Sequence, residues 1–233
     1  MTINSMITIV TATLKFCSDL LTTAESVYPC LSGNISWLIV SKEPLQHNGK
    51  LIRFESSRIR VITANDKGLY DALNISLNHV SSGYIQVVGG GDTIIRSGFD
   101  EAVKAIDEGH QMPVHAFPIL LNGSGKIYPP SASSLSVFMS CPHPGIFVDV
   151  MTVKRIGGFD TRYKVSADYD LISRIAQIEQ ITIHQTEPVV KYKGGGMSEI
   201  FAEEAVLENA LIRKRVWRKT LRDCITTIDK LYL

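Results

Sequence analysis

The stretch that most constrains this chain is Tyr84-Ile85-Gln86-Val87-Val88, which runs straight into Gly89-Gly90-Gly91-Asp92. A short β-rich apolar run closed by glycine reads as a buried strand ending in a tight loop. In an open α/β sheet, ligands sit just beyond the carboxyl ends of the strands. Glycines there let a ligand approach the backbone, and a carboxylate behind them can hold a metal ion and a phosphate. The same residues also describe an ordinary Gly-Asp turn.

The rest of the chain supplies the sheet that such a strand needs. Residues 7–11 are β-branched throughout, as in a strand buried on both faces. Phe16, Leu20, Leu21, Ala24 and Val27 have helical spacing, and Pro29 ends that helix. Residues 37–40 and 58–64 read as the second and third strands, with a polar, ambiguous segment at 45–57 between them. Asn65-Asp66-Lys67-Gly68 then opens a helix, which Asp66 can cap and which buries Leu69, Leu73 and Leu77. This alternation predicts a doubly wound, mostly parallel α/β sheet. Further on, residues 99–106 read as a helix and 114–122 as one strand, followed by a glycine turn into Lys126-Ile127-Tyr128. Residues 146–148, 182–184 and 189–192 read as strands, 151–156 and 169–177 as helices, and 198–233 as largely helical. The expected organisation is one α/β domain over 1–197 and a C-terminal helical extension over 198–233.

Composition narrows the function classes. With 233 residues and a net charge of +1, the chain is not a general nucleic-acid binder. Cys17, Cys30, Cys141 and Cys224 lack metal-ligand spacing and read as reduced thiols. No basic, apolar leader opens the sequence, and no apolar run reaches the roughly 18–20 residues of a membrane span, so a cytoplasmic location is expected.

Three acidic clusters fall at expected strand ends or helix starts: Asp66-Lys67-Gly68-Leu69-Tyr70-Asp71, Gly91-Asp92 and Ser166-Ala167-Asp168-Tyr169-Asp170. Parallel strands gather their C-terminal loops on one edge, so Thr11, Asp66, Asp92 and Asp168 are expected around one cleft. Mg²⁺ or Mn²⁺ binds through few protein carboxylates and completes its shell with substrate phosphate oxygens. Asp168, at a helix start, is placed to act as a general base. Each of these acids could equally cap its helix and face water.

In order along the chain, these residues resemble the GT-A-fold glycosyltransferases of family 2, of bacterial O-antigen, capsule and colanic-acid type. The segment Asp66-Lys67-Gly68-Leu69-Tyr70-Asp71-Ala72-Leu73-Asn74 is similar to that family's "DKGIYDAMN". The stretch 84–92 stands where the family has "GEYIxFLNSGD". Cys141-Pro142-His143-Pro144-Gly145-Ile146-Phe147 resembles "xHQxxFF", and Gly157-Gly158-Phe159-Asp160 followed by Ala167-Asp168-Tyr169-Asp170-Leu171 resembles "GxFDxxYxIxADYDL". Gly195-Gly196-Met197-Ser198 resembles a closing "GGxS".

The resemblance implies an inverting transfer from a nucleoside-diphosphate sugar, UDP-linked by preference, to a hydroxyl of a glycan or polyprenyl-diphosphate-linked acceptor. Asp168 would be the catalytic base. Thr11, Ala12, Thr13, Glu43, Asp66, Lys67, Gly68, Tyr70, Asp71, Asn74, Gly90, Gly91 and Asp92 would bind the nucleotide sugar. Asp92 would also hold the metal, and His143, Gly195, Gly196 and Ser198 would border the acceptor or form a lid. Two departures stand out. Ser41-Lys42-Glu43 stands in place of the usual acid after the second strand, so either Glu43 substitutes or base recognition differs, and Asp92 is the one acid of its motif, so either metal affinity is weak or cations such as Lys193 share its work.

The tail, residues 211–222, is basic with interleaved apolar residues. It would lie on an anionic membrane surface with Trp217 as interfacial anchor, pack on the core, or make a homo-oligomer contact. Two other readings stay open. One is a catalytically silent nucleotide-sugar-binding scaffold. The other is a nucleotidyltransferase, which would want more glycine after the first strand than Thr11-Ala12-Thr13-Leu14-Lys15 provides.

Overall fold

The computed structural model describes residues 5–45 and 56–218. Most of the polar segment, His47, Cys224 and the tail beyond residue 218 lie outside the described residues. Along the chain run β1 (Ile7–Thr13), α1 (Ser18–Val27), β2 (Ile35–Ser41), β3 (Ile59–Thr63), α2 (Leu69–Leu77), β4 (Tyr84–Val87), β5 (Thr93–Ile94) and α3 (Arg96–Glu108). They are followed by β6 (Val114–Ala116), β7 (Ile119–Leu121), β8 (Ile127–Tyr128), β9 (Ile146–Asp149), α4 (Val150–Arg155), α5 (Ala167–Ile175), β10 (Ile181–Ile183), β11 (Val190–Tyr192), α6 (Met197–Ile200) and α7 (Ala202–Val216).

A seven-stranded sheet in the order β10-β6-β9-β4-β1-β2-β3 forms the centre. The strands β3, β2, β1 and β4 are parallel, whereas β9 runs antiparallel to both β4 and β6. The sheet separates two apolar layers. Trp37, Ile9, Phe99, Phe117 and Phe147 pack with α1 and α3 on one face, and Leu38, Ile85, Leu73, Ile172 and Ile212 with α2, α5 and α7 on the other. Fully burying one such side chain contributes on the order of 1.5–3 kcal/mol.

The single strand expected over 114–122 is two strands in two sheets. Pro118 has no N–H to give a ladder. The chain turns there, and β7 leaves for a small sheet ordered β5-β11-β7-β8. The glycine turn at 122–125 does join β7 to an antiparallel β8. Asp66 does not cap α2. Gly68 occupies the N-cap position, and Asp66 Oδ1 accepts the Gly68 N–H at 3.0 Å, tightening the turn that leads in. The antiparallel β9 matters for the site. Its amino end lies at the edge where β1, β2, β3 and β4 end, and that brings the His143-Pro144-Gly145 turn to the same edge.

Candidate functional site

Two acid-centred groups form at or beside this edge. The first surrounds Asp168, in the first turn of α5. Its Oδ1 accepts the Tyr169 N–H at 2.8 Å and the Tyr70 hydroxyl at 3.1 Å. Its Oδ2 faces His143 Nδ1 at 3.8 Å, too far for a hydrogen bond, so this oxygen keeps its lone pairs for an incoming proton. Burial, followed by the charge of Asp168, raises the Tyr70 pKa well above its usual value, so the phenol stays protonated and donates. Burial lowers the His143 pKa, which Asp168 partly offsets. Phe159 stacks on Tyr70 with ring centroids 5.7 Å apart and lies 5.7 Å from the His143 ring. The result is an ionisable acid with one open oxygen, walled by two aromatic rings and an imidazole.

This arrangement is held from behind. Gln86 on β4 donates from Nε2 to the Pro144 carbonyl at 2.8 Å, fixing the turn that carries His143. The Tyr70 hydroxyl also lies 2.6 Å from the Val165 carbonyl, so its one proton is shared between that oxygen and Asp168. Glu208 on α7 accepts the N–H groups of Lys164, Val165 and Ser166 at 2.7, 3.0 and 2.8 Å, and so holds the segment leading into Asp168. Arg215, also on α7, pairs with the fully buried Asp170 and, at 2.9 Å, with Asp160. Sequence reasoning missed Glu208 and Arg215. Both lie in the helical extension expected over 198–233, Arg215 within its basic stretch 211–222, and nothing local marks them. Trp217 is buried against the core as well, which removes it as an interfacial anchor.

The second group is the glycine loop. Asp92 is 4% exposed, and both of its oxygens accept main-chain hydrogen bonds, from Gly89 at 3.1 Å and from Lys193 at 2.8 Å. Burial raises its pKa to about 6 against the opposing effect of those two N–H donors. Thr23 completes the loop: its hydroxyl lies 2.9 Å from the Asp92 carbonyl and accepts the Gly91 N–H at 2.9 Å. The Lys193 stem lies over Gly91 (φ +93°), where a Cβ would stand 2.4 Å from Lys193 Cδ. Its ammonium pairs with Asp19 of α1 at 2.6 Å.

A Mg²⁺ or Mn²⁺ ion needs carboxylate oxygens turned toward it. Here Asp92 turns both oxygens inward to amides, and Asp19 is taken by a lysine. Among the described residues no three His, Cys, Asp or Glu side chains come together as a ligand set. Among the described residues the loop thus offers that ion Asp92 alone, through oxygens that each already accept one amide hydrogen, and the rest of its shell would come from substrate phosphate oxygens.

The remaining expected residues divide in two. Asp66, Lys67, Gly68 and Asp71 share the turn before α2, where Asp71 Oδ2 accepts the Lys67 N–H at 2.8 Å and Lys42 Nζ donates to the Asp66 carbonyl at 3.0 Å. Glu43 is exposed at the end of β2, Ala12 and Thr13 are half-buried at the end of β1, and Gly90 is exposed in its loop. Gly195 and Ser198 are exposed just after Lys193, whereas Gly196 sits against the Tyr192 hydroxyl. Two others are spent inside the protein. Thr11 donates to the Val88 carbonyl and accepts from Trp37 Nε1. Asn74 uses both ends of its amide on the Phe159 main chain, each at 2.8 Å.

The sequence matches no family model and no curated protein. The fold does have solved counterparts. S. aureus TarS, residues 1–349 in complex with UDP, superposes with a TM-score of 0.65 at 15% identity over 91% of this chain. The Pyrobaculum calidifontis mannosyltransferase PcManGT, in complex with GDP-Man and Mn²⁺, superposes with a TM-score of 0.66 at 12% identity over 94% of this chain. The chain spans 66% of the first structure and 64% of the second. At these identities the likeness establishes the fold, which is GT-A.

Proposed function

We propose that this chain is an inverting glycosyltransferase that moves a sugar from a nucleoside-diphosphate donor, UDP-linked by preference, to an acceptor hydroxyl. The observation that carries the reading is Asp168: a carboxylate at a helix N-terminus with one free oxygen, at the sheet edge where α/β folds bind ligands. In the reaction, Asp168 takes the proton of the acceptor hydroxyl as that oxygen bonds to the anomeric carbon. The bond from the anomeric carbon to the diphosphate breaks on the opposite face, and its electron pair leaves with the nucleoside diphosphate. One displacement of this kind inverts the anomeric configuration. Tyr70 and His143 orient the carboxylate and the entering hydroxyl, and none of these steps is assigned to a metal ion.

The acceptor in this reading is a glycan or polyprenyl-diphosphate-linked glycan of surface-polysaccharide assembly, met at the inner face of the membrane by a cytoplasmic enzyme. Among the described residues no helix is long and apolar enough to cross a membrane. Leu207 and Leu211, 66% and 58% exposed, share a stripe of α7 with the basic Lys214 and support a surface contact of this kind. In this reading the extension over 198–233 serves that contact with the exposed side of α7, whose other side packs on the core through Ile212.

The test is nucleotide release from a panel of UDP- and GDP-sugars with membrane-extracted acceptor. Release that disappears in Asp168→Asn is expected. Equal release by that variant would remove the base assignment. A second reading, a silent nucleotide-sugar-binding protein, draws on the inward-turned Asp92. It predicts a donor-induced rise in melting temperature with no turnover.

A further inference from the structure

The loop that ends β4 is built around a cation belonging to the protein itself. Asp92 fixes the Lys193 main chain by accepting its N–H at 2.8 Å. Gly91, in a left-handed conformation, makes room for the lysine stem to cross the loop. The ammonium then reaches Asp19 at 2.6 Å, with the two side chains 47% and 43% exposed. An exposed pair of this kind is weakly held. Immediately after Lys193, Gly194 and Gly195 have φ of +82° and +70°, conformations that glycine adopts at little cost. A charged arm pinned at its Cα, followed by two such glycines and resting on a half-exposed acid, can exchange that acid for another anion.

We propose that Lys193 binds the donor's diphosphate directly and supplies the positive charge that a divalent ion was expected to bring, with Asp19 as its resting place between donors. The inference rests on the glycosyltransferase reading above and names the partner of its leaving group. An ammonium offers three donors and a compact charge, well suited to diphosphate oxygens. When the bond between the anomeric carbon and the diphosphate breaks, the electron pair and its charge remain on the diphosphate beside Lys193. The inward commitment of Asp92 then has a purpose, since it holds the lysine in place.

The experiment is calorimetric titration of the full chain with UDP and GDP, in excess EDTA and in Mn²⁺. Binding of at least one nucleotide in EDTA is expected, with affinity within about threefold of that in Mn²⁺, since the chain carries its own cation. Lys193→Met keeps the stem over Gly91 and removes the charge alone. It should weaken binding about 10- to 100-fold in EDTA, whereas Lys193→Arg should retain most of it. Asp19→Asn, by releasing the lysine, should tighten it. Binding that requires Mn²⁺ and is indifferent to Lys193→Met would overturn this inference and leave the glycosyltransferase reading standing. Absence of binding by either nucleotide or any nucleotide sugar, with or without Mn²⁺, would overturn both.

Discussion

Asp168 and Asp92 are the same residue type near the same sheet edge, and the fold uses them in opposite ways. Asp168 sits in the first turn of a helix, with one oxygen anchored and the other 3.8 Å from the His143 imidazole. Asp92 is buried with both oxygens closed on amides, one of its own loop and one at the end of β11. What separates them is where the backbone donors are. The turn Gly89–Asp92 and the arriving Lys193 point two N–H groups at one carboxylate. The α5 N-terminus instead gives one N–H, that of Tyr169, to Asp168 Oδ1 and leaves Oδ2 3.8 Å from His143 Nδ1. An acid near the sheet edge therefore keeps an oxygen turned outward in one case and is a structural clamp in the other.

The sharpest way to break this contrast is to remove the open oxygen. Asp168→Asn keeps the shape and deletes the base, so kcat should fall about 1,000-fold, with melting temperature and nucleotide affinity little changed. Retained activity would mean that the open oxygen is not the working one. The matching change at the clamp should read out differently. Asp92→Ala leaves the Gly89 and Lys193 N–H groups without their acceptor around the buried Asp92 site, at a cost of about 1–3 kcal/mol in chemical denaturation. A fully stable variant would show that the clamp is not needed.

The clamp also predicts a pH signature. Asp92 has an ordinary pKa of 3.8 when unfolded and about 6 in the fold, because burial penalises its charge. Between those values the native state holds a proton that the unfolded chain has lost. Stability relative to Asp92→Asn, which does not titrate, should therefore decline as pH rises from 4 to about 6 and level off above, by about 3 kcal/mol in all. A flat difference in melting free energy across that range would place the carboxylate in contact with water.

The contrast also explains what could be read in advance. The β-branched run of β1, the helix of α2 and the glycine end of β4 announce an α/β sheet, because local periodicity and burial agree there. The Asp168 motif is local too, and its place at a helix start is legible there. The break at Pro118 and the antiparallel insertion of β9 depend on which sheet a strand joins, and no local pattern fixes that. The fate of Asp92 depends on Lys193, 101 residues later, whose main-chain N–H arrives only through β11. Thr11 and Asn74 were expected at the ligand for the same reason in reverse. Their partners, Trp37, Val88 and Phe159, come from other elements and turn them inward.

Glu208 gives the smallest effect and tests whether the open centre is as independent as it looks. Its carboxylate gathers three N–H groups from the segment just before Asp168, and that segment's Val165 carbonyl accepts the Tyr70 hydroxyl. Glu208→Ala frees that segment, so kcat should drop about tenfold, roughly 1.4 kcal/mol of transition-state stabilisation, while KM for the donor stays within about twofold. A purely structural role would lower stability and leave kcat of the folded fraction intact. Glu208→Gln keeps one oxygen, able to accept the Val165 and Ser166 N–H groups together, and should restore most of the rate. If the glutamine variant is as slow as the alanine variant, the charge of Glu208 acts on Asp168 through space rather than through the backbone it holds.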